Sequence, residues 1–156
     1  MITFVEWCQY STLAQWIRSE TWPFPALEVF HLLGMVLVFG AIFVLNARIF
    51  GMALRAQPVS EIARGLAWTL YVGLAIQVIS GPLLFSALAM RFYQSGWFRI
   101  KLGLFFIALV YHFAVHRRLT FSPKTKGPAL RSSALVSMAL WSAVILAGLG
   151  ITLFSQ

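Results

Sequence analysis

Acidic side chains are almost missing from this chain: Glu6, Glu20, Glu28 and Glu61 are its only carboxylates, against 12 lysines and arginines. They form no pair spaced for general acid and base work, so hydrolysis has no machinery here. Cysteine is scarcer still. Cys8 stands alone, which excludes an internal disulfide, a Cys-rich metal site and the C-x-x-C-H attachment of c-type haem. A glycine-rich phosphate loop and a serine or cysteine nucleophile constellation are absent as well, and phosphoryl transfer goes with them. Charged residues of either sign amount to only 10%, too few to solvate a water-soluble globule.

What is there is apolar. Hydrophobic residues fill 60% of the 156 positions and the mean hydropathy is +0.84, which marks an integral membrane protein. The length holds about four spanning helices of roughly 20 residues with short loops. The expected fold is therefore all-α: a single transmembrane domain over residues 1–156, a four-helix bundle whose first partner is the lipid bilayer. The formal charge of +8 does not indicate a nucleic-acid partner. The basic residues sit beside the hydrophobic runs, where they set topology and meet anionic headgroups.

The first residues carry no basic leader and place Glu6 within their apolar stretch, so a cleaved signal peptide is not expected. Residues 3–20 mix Trp7, Leu13, Trp16 and Ile17 with Gln9, Gln15, Arg18 and Glu20, the pattern of a helix lying in the membrane interface. Thr12 and Gln15 within it have capping-box spacing. Thr21-Trp22-Pro23-Phe24-Pro25 ends that helix and puts aromatic rings at headgroup depth. Spans are expected at about 25–50, 66–90, 97–117 and 132–154, with Pro25 in the first turn of the first and a kink at Pro82 in the second. Gly34, Gly40, Gly73, Gly81, Gly103 and Gly148 are candidate points of close helix approach. Arg48, Arg55 and Arg64 follow the first span, and Arg117, Arg118, Lys124, Lys126 and Arg131 follow the third. The positive-inside rule then predicts a multi-pass protein of a bacterial inner (plasma) membrane with both termini periplasmic.

Ionisable groups at depth are the informative exceptions, because a charge inside a bilayer is costly and marks a bundle interior, a cofactor or a proton path. Here they are His31, Lys101, His112 and His116. At the helical rise, His31 lies roughly 9 Å into the first span and Lys101 roughly 6 Å into the third from the same side, so the two are level. His112 lies roughly 22 Å into the third span with His116 one turn beyond, which makes His31 and His112 poor partners for one haem iron. Eleven residues at about 100° each return His112 to within roughly 20° of Lys101, so both face one seam. His31, Met35, Val38, Ile42 and Leu45 form the matching stripe on the first span, with Asn46 beside it at the far end. An outer polar site from His31 and Lys101 and an inner one from His112 and Asn46 are expected along that seam.

Each of these groups has more than one chemistry open to it. His31 can bind iron, its other nitrogen oriented by Glu28 or a backbone carbonyl, or it can make a plain interhelical hydrogen bond. Lys101 can snorkel to the headgroups, hold a haem propionate, ligate iron or take a proton. His112 and His116 have the i,i+4 spacing of metal ligands without a third ligand nearby. His116 is expected against lipid phosphate, and His112 at a second haem or a quinone.

The run Ala26-Leu27-Glu28-Val29-Phe30-His31-Leu32-Leu33-Gly34, followed by Phe39-Gly40 and Arg48-Ile49-Phe50, resembles the first helix of the HemJ-type protoporphyrinogen IX oxidases. Trp97-Phe98-Arg99-Ile100-Lys101-Leu102, continuing to Tyr111-His112, resembles their third helix. The first run is also similar to CopD-type copper-resistance membrane proteins. A bacterial family of four-helix inner-membrane proteins of unknown function shares a fuller pattern: Trp22-Pro23, the Glu28, His31 and Gly34 spacing, and Phe98 with Lys101. The HemJ resemblance implies b-type haem, with His31 as ligand to the haem iron, Lys101 as its partner and Met35 matching a family methionine. The chain departs from that pattern at Val44-Leu45-Asn46-Ala47-Arg48, where a tyrosine and a proline would stand before the arginine.

Together these readings predict a membrane-embedded b-type haem protein. It would move electrons between a quinone, or a partner membrane or periplasmic redox subunit, and an acceptor, or oxidise a porphyrin-like substrate as an oxidoreductase. Arg99 and Arg91 would strengthen the positive outer rim of the haem site. The alternatives are a cofactor-free anchor or scaffold subunit of a larger complex and a CopD-type copper-handling protein. For copper, Met35, Met52, Met90 and Met138 are too scattered to form a path.

Overall fold

The computed structural model describes residues 2–122 and 127–154, and Lys124 and Lys126 of the third loop lie outside the described residues. Among the described residues every regular element is a helix, with no strand. The N-terminal segment is not one helix but two, α1 (Ile2–Tyr10) and α2 (Thr12–Ser19). Ser11 makes the break. Its hydroxyl donates to the Cys8 carbonyl at 2.8 Å and accepts the Ala14 N–H at 3.3 Å, capping α2. Thr12, expected as the cap, lies inside the helix, and Gln15 turns back to the Tyr10 carbonyl instead of closing a capping box.

Pro23 opens α3 (Pro23–Ile49) at its first position, where the missing N–H costs nothing, and Pro25 lies in the first turn as expected. Gly51 ends the helix with φ +74°, and the Gly51 and Met52 N–H groups return to the Arg48 and Ala47 carbonyls. This is a Schellman turn, whose left-handed residue suits glycine. Helix α4 (Val59–Ala87) begins earlier than the hydropathy suggested, because Pro58 and first-turn Glu61 set its start. Pro82 sits within it without ending it. After the short α5 (Ala89–Gln94) comes a continuous rod: α6 (Gly96–Tyr111), a π-helical turn (His112–His116) and α7 (Arg117–Phe121). α8 (Gly127–Phe154) completes the bundle.

Four of these rods are long and apolar enough to cross a membrane: Pro23–Ile49, Val59–Ala87, Gly96–Phe121 and Gly127–Phe154. Even the shortest, 26 residues, measures roughly 39 Å against a hydrocarbon core of about 30 Å. The protein is thus a multi-pass membrane protein built as a four-helix bundle. Lipid offers no hydrophobic gain for helix association, so close packing has to hold the bundle together. The chain achieves it in two tight pairs. Where α3 crosses α4, a Cβ on Gly73 would stand 2.8 Å from the Gly34 carbonyl oxygen, and one on Gly34 would stand 2.7 Å from an Ile76 methyl. Where α6 meets α8, the Trp97 ring lies against Gly150, 2.6 Å from where a Cβ would be. Gly40 and Gly103, by contrast, face open space and permit no close approach. Val38, Ile42, Leu70, Ala108, Trp141 and Val144 join the two pairs in a common core.

The short helices are tied across one end of this bundle. Arg18 donates to the Ala87 carbonyl at the end of α4 and to the Gln9 carbonyl, both at 2.8 Å, and the Gln9 side chain accepts the Met90 N–H. Phe4, Trp7, Leu13 and Trp16 remain exposed on the outer face of this cap.

Candidate functional site

The capped end of the bundle holds the first polar cluster. His31 stands two turns into α3, Lys101 is in the second turn of α6, and Ser80 and Gln77 are near the end of α4. The structure brings all four together. Ser80 Oγ lies 2.8 Å from His31 Nδ1, Lys101 Nζ lies 3.4 Å from His31 Nε2, and the Gln77 amide donates to the His31 carbonyl at 2.5 Å. Ser80 also donates its single hydroxyl proton to the Ile76 carbonyl at 2.6 Å. With that proton committed, the Ser80 oxygen accepts from His31 Nδ1–H, and the hydrogen-bond network assigns the lone pair to Nε2. That lone pair faces the lysine amine.

Small residues make room for both groups. A Cβ on Gly81 would touch the His31 ring at 3.8 Å, and one on Gly148 of α8 would lie 3.7 Å from Lys101 Nζ. Met35 lies one turn on from His31 and lines a narrow gap with Lys101, Phe39, Phe105 and Trp141. Arg99 does not join the cluster. It is exposed and, two residues before Lys101, points about 200° round the helix from it. Glu28 is exposed too, and Ser80, not Glu28 or a carbonyl, orients the imidazole. Ser80 and Gln77 escaped sequence reasoning although a signal existed: they lie one helical turn apart in an otherwise apolar span. Ser80 drew notice only for the proline two residues on.

A second polar cluster lies toward the other end. His112 and His116 occupy the π turn, where the Arg117 N–H reaches back five residues to the His112 carbonyl. Their ring centroids are 5.8 Å apart. His116 is fully buried and meets Ser133 Oγ of α8 at 2.9 Å, beside the Tyr111 hydroxyl at 3.2 Å from the same oxygen. The expected contact of His116 with lipid phosphate is therefore wrong. The third rod does not stop near Arg117 but runs on to Phe121, so His116 sits a full turn inside it and faces α8. Asn46 on α3 is likewise fully buried. Both of its amide atoms, His112 Nδ1, His116 Nε2 and Ser137 Oγ are buried without a hydrogen-bond partner. Among the described residues no three His, Cys, Asp or Glu side chains converge as a metal site.

Against known proteins, the chain matches the family of unknown function DUF6644 over residues 4–154. It belongs to that family. The match takes in both polar clusters and all four spans. No curated protein and no solved structure matches it.

Proposed function

We propose that this DUF6644 protein is a membrane-embedded redox protein that holds b-type haem at the capped end of its bundle. The observation that supports the reading is the His31 imidazole: Nδ1 is fixed by Ser80 at 2.8 Å, and the Nε2 lone pair faces the Lys101 amine at 3.4 Å. A metal-binding histidine has this arrangement, its second nitrogen donating to a partner that sets tautomer and ring direction. The donor types suit the group: His31 would supply a nitrogen to the iron, and Lys101, moved off that nitrogen, the cation for a propionate or for a second contact. The gap beside them, about 10 Å³, is too small for a macrocycle, so the reading requires Met35, Phe39 and Phe105 to move when one binds.

When bound, haem supplies one-electron chemistry. The chain's own contribution is to hold the imidazole in one tautomer, to keep an amine within reach and to exclude water with a surrounding wall of aromatic and aliphatic side chains. In this reading the protein sits in a bacterial inner membrane with both termini periplasmic, an orientation supported by the basic loops after the first and third spans. On that orientation the His31 end faces the periplasm, with α1 and α2 in the outer interface and free to meet a partner redox subunit. Titrating the detergent-solubilised protein with haemin tests the reading. One equivalent per chain should develop a sharp Soret band, and His31→Ala should abolish it. Equal uptake by the variant would contradict it, and no specific uptake by either would leave a cofactor-free anchor as the better reading.

A further inference from the structure

We infer that the His112–His116 cluster is a second binding site, for the headgroup of a lipid-soluble quinone. The inference stands on its own cavity and does not require haem at His31. A cleft of about 170 Å³ opens between α3 and α4 on one side and the π turn and α7 on the other. Ala63, Ala67, Leu70 and Thr120 line its walls, with His112 and His116 at its base. Only 5% of His112 and none of His116 is exposed, yet His112 Nδ1 and His116 Nε2 have no partner. Unsatisfied nitrogens buried beside an open volume are costly in an apolar protein unless a ligand completes them.

The volume and the chemistry select the ligand. Pockets for drug-sized molecules run from roughly 300 Å³ upward, so this cleft as it stands is sized for a single substituted ring. Its walls are apolar, and the guanidinium groups of Arg64 and Arg117 lie at its exposed rim. An anionic headgroup would seek that rim, whereas the base offers imidazoles, which accept or donate according to tautomer. A quinone carbonyl needs a donor and the corresponding quinol hydroxyl needs an acceptor, and an imidazole serves both. The cleft lies toward the end of the third rod, so an isoprenoid tail can stay in lipid while the ring enters sideways.

The test is equilibrium binding of decyl-substituted benzoquinone to the full-length protein in quinone-free nanodiscs. Saturable binding is expected, weakened about tenfold in His112→Gln and abolished in Ala67→Phe, which fills the cleft without touching the histidines' partners. Both variants should elute as the parent does, and Ala67→Phe should keep any haem spectrum the parent shows. Non-saturable uptake, or binding that survives both substitutions, would overturn the assignment. So would displacement of the quinone by phosphatidylglycerol, which would make the cleft a lipid-headgroup site. A colourless protein that still binds quinone would sink only the haem reading at His31.

Discussion

The Ser80 hydroxyl accepts from His31 Nδ1 at 2.8 Å while its own proton goes to the Ile76 carbonyl at 2.6 Å, so one serine fixes both the tautomer and the direction of an intramembrane imidazole. Ser80→Ala removes that constraint. Hydrogen bonds of this kind contribute about 1 kcal/mol in a membrane bundle. The expected outcome is a loss of about that size in reversible unfolding from mixed micelles, with weaker haemin uptake. Wild-type stability and uptake would mean that the serine orients nothing.

Lys101 separates function from stability. Its stem packs along Gly148 and its amine faces His31, so Lys101→Met keeps the shape and removes a charge that is costly to hold in lipid. The variant is expected to be at least as stable as the parent and to bind haemin about tenfold less well, the equivalent of roughly 1.4 kcal/mol. A destabilised variant with unchanged uptake would assign the lysine to structure alone.

The glycines divide sharply. Gly73→Ala sets a methyl against the Gly34 carbonyl at 2.8 Å, and overpacking of that kind costs about 1–3 kcal/mol. Gly40→Ala and Gly103→Ala meet nothing within 4 Å and gain helix propensity of up to about 1 kcal/mol. Unfolding measurements on the three variants should therefore differ in sign.

Asn46 is buried with neither amide atom partnered. Replacing it with leucine relieves an unsatisfied polar group, worth about 1–3 kcal/mol. Asn46→Leu is expected to unfold at higher denaturant than the parent. A destabilised variant would show that the amide has a partner in the folded protein.

Much of this was legible in the chain. The four spans follow from hydropathy, and the meeting of His31 with Lys101 follows from rise per residue, because depth along straight helices is set by counting. The same count placed His112 and Asn46 toward the far end, where both are buried with atoms unpaired. What counting missed depends on contacts between helices. Ser80 orients His31 from another span, which no pattern within α3 encodes. His116 turned inward because the rod continues past Arg117 and carries a π turn, neither of which hydropathy registers. The start of α4 was misplaced for a related reason: Pro58 and Glu61 set it by capping and dipole, in a segment too polar to read as a span.

The most direct measurement is the dithionite-reduced minus oxidised absorption spectrum of the protein purified from membranes, wild type beside His31→Ala. A Soret band with resolved α and β bands in the wild type, missing from a variant of unchanged elution and helicity, is the expected result. A colourless wild type, or identical spectra from the two, would contradict a haem held by His31.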